Sequence, residues 1–400
     1  MNFCSSSNET TGFDPIGLTR LDQIIQARVA SGHIPGAILV LHRHGQQIEA
    51  AFGRQSPMAD APMAIDSIFR IYSMTKPIIS VAIMMLAEEG RLLISDPVAK
   101  FLPEFEGVQV GVEAPGPDGR AQLHLEPCKK PMTIQDLLRH TAGLTYGKFG
   151  VPTLVKAAYN ASGVEEILLS NDEVIKKLAA LPLTMQPGTC WEYSRATDVL
   201  GALLERLHGK TLDVVLHEQI FMPLGMVDTG FWVEPDKHHR IAEAFAVEPD
   251  QAIEVQLHDI RTRPRLLSGG GGLVSTAPDY MRFARMVANG GVLDDVRLLA
   301  RKTITFMTAD HLAVLPGAMN GPAYLPGPGY GFGLGFSVRL NEGGAFTPGS
   351  VGDFNWSGLA GTYFWIDPQE DLIAIWLMQA PEQRDAYRQL IRNLVAGCLR

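Results

Sequence analysis

Apolar positions follow two different periods along this chain. Leu18, Leu21, Ile24, Ile25 and Val29 recur at three- and four-residue intervals, which predicts an amphipathic helix near the start. Two strand-like runs follow, Gly36 to His42 and Gln47 to Phe52, and Arg43-His44-Gly45 between them reads as a hairpin turn. From Ile68 to Gly90 the pattern becomes a helix that is apolar almost all round (Ile78, Ile79, Val81, Ala82, Ile83, Met85, Leu86), as expected of a buried central element that stops at glycine.

Between about 97 and 324 the pattern is mainly helical, broken by Gly/Pro loops, of which Val110 to Arg120 reads as one. Thr133-Ile134-Gln135-Asp136 has the spacing of a capping box, and Asp198 to Leu207 and Leu212 to Ile220 read as helices. Strand character returns at Gly331 to Leu340, Gly361 to Ile366 and Leu372 to Gln379, with Asp367-Pro368-Gln369-Glu370 as a hairpin turn. A last helix aligns Tyr387, Leu390, Ile391, Leu394 and Val395. Strands at both ends around a helical middle predict one antiparallel sheet assembled from the two ends of the chain. The expected division is an α/β part over 13–96 and 325–400, an inserted helical domain over 97–324, and a site in the cleft between them.

Composition sharpens this picture in a few places. With 400 residues, 46% of them hydrophobic, the chain has enough apolar surface for one large or two associated cores. The net charge is −9 and there is no long basic run, which argues against nucleic acid as a partner. The most apolar run, Pro77 to Ala87, is too short to span a bilayer, so no membrane association is expected. The first eight residues show no secretory pattern, and Cys4, Cys128, Cys190 and Cys398 are widely spaced; reduced thiols in a cytoplasmic protein are expected.

Three segments carry candidate chemistry. In Tyr72-Ser73-Met74-Thr75-Lys76-Pro77, a helix beginning at Ser73 places Ser73 and Lys76 on one face, and the helix N-terminus favours an oxyanion at the serine. That position and burial predict a lowered Lys76 pKa and a neutral amine able to act as base. The turn Gln186-Pro187-Gly188 delivers Tyr193 to the start of a helix, where a phenol can relay a proton. Asn355-Trp356-Ser357-Gly358-Leu359 opens a strand whose small residues allow close backbone approach, and the Leu359 and Ser73 amides are candidates for an oxyanion hole.

Their order and spacing resemble the penicillin-binding protein and class C β-lactamase superfamily of serine hydrolases, and most closely the family VIII carboxylesterases and fungal statin acyltransferases. The likeness runs over about 18–380. It includes Leu137-Leu138-Arg139-His140-Thr141-Ala142-Gly143-Leu144, Phe221-Met222-Pro223-Leu224-Gly225-Met226 and Gly269-Gly270-Gly271-Gly272-Leu273-Val274-Ser275-Thr276. The resemblance implies an antiparallel sheet flanked by helices plus a helical domain, with acylation of Ser73. It also implies base and acid roles shared by Lys76 and Tyr193, and neither metal nor organic cofactor. Tyr72, Trp356, Ser357 and Gly358 are the expected substrate contacts.

Two departures bear on substrate. Trp356 stands where β-lactamases place the lysine of Lys-Thr-Gly, and Tyr193-Ser194-Arg195 lacks the asparagine of Tyr-x-Asn. An indole supplies no charge for a lactam carboxylate, so esters with small to medium apolar acyl groups are the expected substrates. Acyl transfer is the close alternative, and β-lactam or amide hydrolysis a further one. Gly269 to Gly272 lacks the rest of a phosphate-binding loop and reads as a bend beside the cleft. His140 reads as structural, and His238-His239 as a surface loop.

Overall fold

A computed structural model describes residues 12–56, 61–165, 168–245, 256–321 and 324–400. Cys4 and the rest of the segment read for a secretory pattern lie outside them. The first helix, α1 (Pro15–Ala30), is capped by Asp14, whose carboxylate accepts from the Gly17 amide at 2.9 Å. Strands β1 (Gly36–Arg43) and β2 (Gln46–Gly53) form the expected hairpin. His44 and Gly45 both take positive φ, 50° and 73°, as a two-residue turn between twisted strands requires.

The late strands are β3 (Tyr330–Phe332), β4 (Ser337–Arg339), β5 (Phe354–Ser357), β6 (Tyr363–Asp367) and β7 (Leu372–Met378). They join the first hairpin in one seven-stranded antiparallel sheet of order β2-β1-β7-β6-β5-β4-β3. The two ends of the chain thus meet at β1 and β7, where Leu39 lies opposite Trp376.

The central strands read as nearly continuous apolar runs because both faces are covered. Ala37, Leu39, Leu41, Trp365, Ala374 and Trp376 face α1 and the last helix, α5 (Arg384–Ala396), with Tyr387, Ile391 and Val395 packed among them. Ile38, Val40, Phe364, Ile366, Ile373 and Ile375 face a second core shared with α2 (Thr75–Glu88), α3 (Ala196–His208) and α4 (Ala277–Ala288). Among the described residues, no helix is long and apolar enough to cross a membrane.

Three local readings are corrected. Gly331 to Leu340 is two strands: Gly333 donates to the Phe336 carbonyl, and Gly335 (φ 92°) turns where a Cβ would strike Ser80. Val110 to Arg120 is the first strand and tip of a hairpin, Gln109–Pro115 with Ala121–Pro127. Its alternating Val110, Val112 and Leu123 were masked by the turn residues around Gly119. Trp356 and Ser357 end a strand rather than open one, and residues 358–362 are the turn into β6. The Thr133 capping box is present, with Asp136 as its reciprocal partner.

Candidate active site

Short-range pairing aims the nucleophile turn. Phe69–Arg70 pairs with Val274–Ser275, and the Ile71 amide donates to the Leu273 carbonyl at 3.0 Å. Tyr72 then takes φ 44°, an uncommon conformation for an aromatic residue that costs on the order of 1 kcal/mol or more. Its phenol accepts from the His258 amide at 3.2 Å, and Tyr280 donates to the Met74 carbonyl at 3.0 Å, so contacts on both sides hold the turn. Ser73 lies in a single 3₁₀ turn, Tyr72–Met74, immediately before α2.

Around Ser73 the polar groups converge. Tyr193 donates to Ser73 Oγ at 2.6 Å, and Lys76 Nζ donates to it at 3.2 Å. Lys76 is 1% exposed, and it also reaches the Gly270 carbonyl at 2.6 Å and the Tyr146 hydroxyl at 3.3 Å. A carbonyl oxygen can only accept, so that short contact fits a charged ammonium with three filled donor directions. Burial works against the Lys76 charge, but the phenols of Tyr146 and Tyr193 and the Asp198 carboxylate outweigh it and raise the pKa above the ordinary lysine value. The expected lowering is therefore corrected. Burial and the helix terminus were legible in the pattern, whereas the acceptors from three distant segments were not.

The Gly269–Gly272 bend supplies one of those acceptors. Asp198, in the first turn of α3, accepts from the Gly270 amide at 3.1 Å and the Ser268 hydroxyl at 2.5 Å, fixing the peptide whose carbonyl meets Lys76. A side chain at Gly269 would strike the Thr197 carbonyl, which explains the need for glycine there. Arg195, two residues beyond Tyr193, forms a buried pair with Asp198 at 3.2 Å.

Tyr193 is placed by backbone hydrogen bonds of the segment that carries it. The Trp191 amide donates to the Ala318 carbonyl and the Glu192 amide to the His140 carbonyl. Glu192 forms a buried pair with Lys156 at 2.8 Å and accepts from Thr145 at 2.7 Å, tying the Tyr146–Phe149 loop to the same segment. His140 takes φ 57°; its Nδ1 lies 3.1 Å from the Ser194 hydroxyl and its ring packs on Trp191, Tyr193 and Phe332. The structural reading of His140 thus gains a definite task. His238 and His239 lie in a 3₁₀ turn, with His238 Nε2 2.9 Å from the Val233 carbonyl.

Burial, aided by the Lys76 charge, holds the His140 pKa well below its ordinary 6.5; burial lowers His42, His258 and His311 as well. A depressed imidazole pKa means that the unfolded chain binds protons first. The stability it contributes is present above about pH 6.5 and is lost as pH falls toward the folded-state value. The thermal midpoint is expected to drop between pH 7 and 5.5, with a shallower slope in His140→Asn, which keeps a residue tolerant of positive φ. Equal slopes in the two proteins by pH-resolved thermal denaturation would exclude this origin.

Ser73, Tyr193, Trp356, Ser357, Gly358 and Leu359 line one cavity of about 490 Å³, with Lys76 buried beside Ser73. Phe149, Tyr324 and Leu325 add apolar wall. Trp356 packs on Tyr193 and Phe332, and its Nε1 is buried without a partner. Gly358 is required because a Cβ would collide with the Ile71 carbonyl and Thr362 Oγ1, so β5 passes directly against the nucleophile turn. Tyr72, expected at the substrate, does not line the cavity: its ring packs on His258, a consequence of the positive φ. Tyr146, Asp198 and the Gly270 carbonyl were missed in the sequence, which contains no motif announcing a backbone acceptor.

A cavity-lining serine with a buried lysine and tyrosine, at the junction of an antiparallel sheet and a helical layer, defines a serine hydrolase of the penicillin-recognising class. The chain belongs to the Beta-lactamase family, whose model matches residues 21–396, and within it groups with the family VIII carboxylesterases. It is 35% identical over 361 residues to an uncharacterised protein of Mycobacterium tuberculosis, covering 87% of this chain and 86% of that one. It is 30% identical over 367 residues to esterase EstB of Burkholderia gladioli, with the same two coverages. Among solved structures, EstCE1, described as a hydrolase with promiscuous acyltransferase activity, superposes with a TM-score of 0.77 at 26% identity. That match covers 95% of this chain and 98% of the other.

Proposed function

We propose that this protein hydrolyses carboxylic esters with small to medium apolar acyl groups through an acyl-Ser73 intermediate. The observation that carries this reading is Ser73 Oγ held by both Tyr193 and Lys76 at the floor of an aromatic-walled cavity. Similarity to EstB and EstCE1 supports ester cleavage.

In the reactive arrangement Tyr193 has released its hydroxyl proton to solvent, and the charged Lys76, 4.6 Å from the ring centre, stabilises the phenolate. The phenolate takes the Ser73 proton as Oγ attacks the ester carbonyl. The amides of Ser73 and Leu359 receive the developing oxyanion. Tyr193 then returns the proton to the departing alkoxide, and a water molecule repeats the sequence in reverse to release the acid and free Ser73. An alcohol in place of water gives acyl transfer, the second reading, which the description of EstCE1 favours. The small-molecule ester is the proposed partner. A cytoplasmic location belongs to the same reading, supported by the free thiols Cys128, Cys190 and Cys398.

The test is a rapid quench of p-nitrophenyl butyrate turnover followed by peptide mass spectrometry. A butyryl adduct on Ser73 is expected, and an adduct elsewhere, or turnover with none, overturns the reading. Added butanol separates hydrolysis from transfer by the product ratio. Nitrocefin turnover should be about ten to a hundred times less efficient, the size of one lost charged hydrogen bond.

A further inference from the structure

Residues 358–362, the turn between β5 and β6, place Leu359 in the wall of the cavity that holds Ser73. Most backbone groups of this turn are paired. The Gly358 amide donates to the Thr362 carbonyl at 2.7 Å, and the Ala360 carbonyl accepts from the Ala380 amide at 2.8 Å. The Leu359 amide has no hydrogen-bond partner among the described residues. Within the turn, the peptide that carries this amide is restrained by one long bond, from the Gly361 amide to the Gly358 carbonyl at 3.2 Å.

A second and shorter restraint comes from α5. One terminal nitrogen of Arg388 donates to the same Gly358 carbonyl at 2.8 Å, and the other donates to Asp385, one turn earlier on the helix, at 3.0 Å. The side chain is three-quarters covered. Burial works against its charge and lowers its pKa, and Asp385 opposes that effect. Both terminal nitrogens are therefore committed to fixed partners, which suits a group that holds structure rather than one that binds a ligand.

The Gly358 carbonyl and the Leu359 amide belong to one trans peptide, in which C=O and N–H point in opposite directions. A grip on the carbonyl from α5 thus aims the amide away from that helix. A charge-assisted bond on the carbonyl also polarises the peptide and makes its N–H a stronger donor.

We infer that Arg388 is a positioning residue for the oxyanion hole: through the Gly358–Leu359 peptide it fixes and strengthens the amide that receives the oxyanion formed at Ser73. This rests on the acyl-Ser73 reading and deepens it, since it gives the candidate amide a device that orients it. The oxyanion exists only once Oγ has attacked, so the contribution falls on the transition state and not on the bound ester.

The experiment measures kcat and KM for p-nitrophenyl butyrate, and inhibition by butylboronic acid, in wild type, Arg388→Met, Arg388→Gln and Arg388→Lys. Butylboronic acid adds to Ser73 Oγ with loss of the serine proton, and one boron hydroxyl takes the place of the ester oxyanion. In Arg388→Met, kcat is expected to fall about ten- to a hundredfold, short of the loss of a whole oxyanion donor, with KM within about threefold of wild type. The boronate inhibition constant should rise by the factor by which kcat falls. Both should recover in the order Met, Gln, Lys, as first a donor and then a charge returns. Unchanged kcat and boronate affinity in folded Arg388→Met, or a loss carried equally by KM, overturns the inference. Should Arg388→Met not fold, Arg388→Lys no better than Arg388→Gln overturns it in the same way. Absence of butyrate ester turnover in wild type, with the graded boronate affinities present, would instead count against the esterase reading alone.

Discussion

Ser73→Ala is expected to reduce p-nitrophenyl butyrate turnover at least about a thousandfold, because it removes the atom that forms the covalent intermediate. Lys76, Tyr193 and the amides of the turn remain, so the residual rate reports electrostatic stabilisation without a nucleophile. The change deletes one hydroxyl that accepts from Tyr193 and Lys76 at a partly exposed position. The folded structure should therefore persist, and the thermal midpoint is the control. Turnover above about a tenth of wild type in a folded variant would dismiss Ser73 as nucleophile. Ser357 is the alternative to examine then, since it lines the same cavity.

The largest stability effect is expected far from the chemistry, at Asp353. This residue is fully buried and accepts from Arg339 Nε at 2.7 Å and from both terminal nitrogens of Arg392. Arg339 and Arg392 are themselves buried, and they donate onward to the Tyr330 and Tyr363 hydroxyls at 2.7 Å each. Asp353→Ala leaves two guanidinium groups facing each other in the interior with no anion. Loss of one member of a buried ionic set costs about 3–5 kcal/mol. The network ties the residue just before β5 to β4 and α5, so the cavity wall carrying Trp356 should loosen as well. Guanidinium chloride unfolding measures the effect, and a loss below about 1 kcal/mol would show that water or a neighbouring group replaces the carboxylate. Adding Arg339→Met and Arg392→Met to the variant should recover part of the loss, since apolar groups in a buried site need no counter-charge.

These two effects differ in how far the sequence announced them. Ser73 and Lys76 were legible because three residues along a helical turn bring side chains together whatever the rest of the fold does. Tyr193 and the Trp356 segment were legible only through their resemblance to a known order of motifs. The Asp353 network was not legible, since its members sit 14 and 39 residues apart with no local pattern joining them. The misplacement of Tyr72 has the opposite origin. Adjacency to the nucleophile suggested a substrate contact, but a positive φ turned the ring away.

What the sequence determined by itself was local and periodic. It specified the hairpin turn at His44-Gly45, the buried α2, the strands with both faces apolar and the capped helices, because each follows from a few consecutive side chains. What the tertiary structure decided was charge and direction. A lysine expected to have a lowered pKa has it raised instead by Tyr146, Tyr193 and Asp198, and its amine meets the Gly270 carbonyl. Arg195 was neutralised by Asp198, while Arg388, unremarked in the sequence, was carried into the cavity by α5. The physical reason is common to all of these: electrostatics and hydrogen bonding act between atoms a few ångströms apart in space, at separations along the chain that no local pattern records.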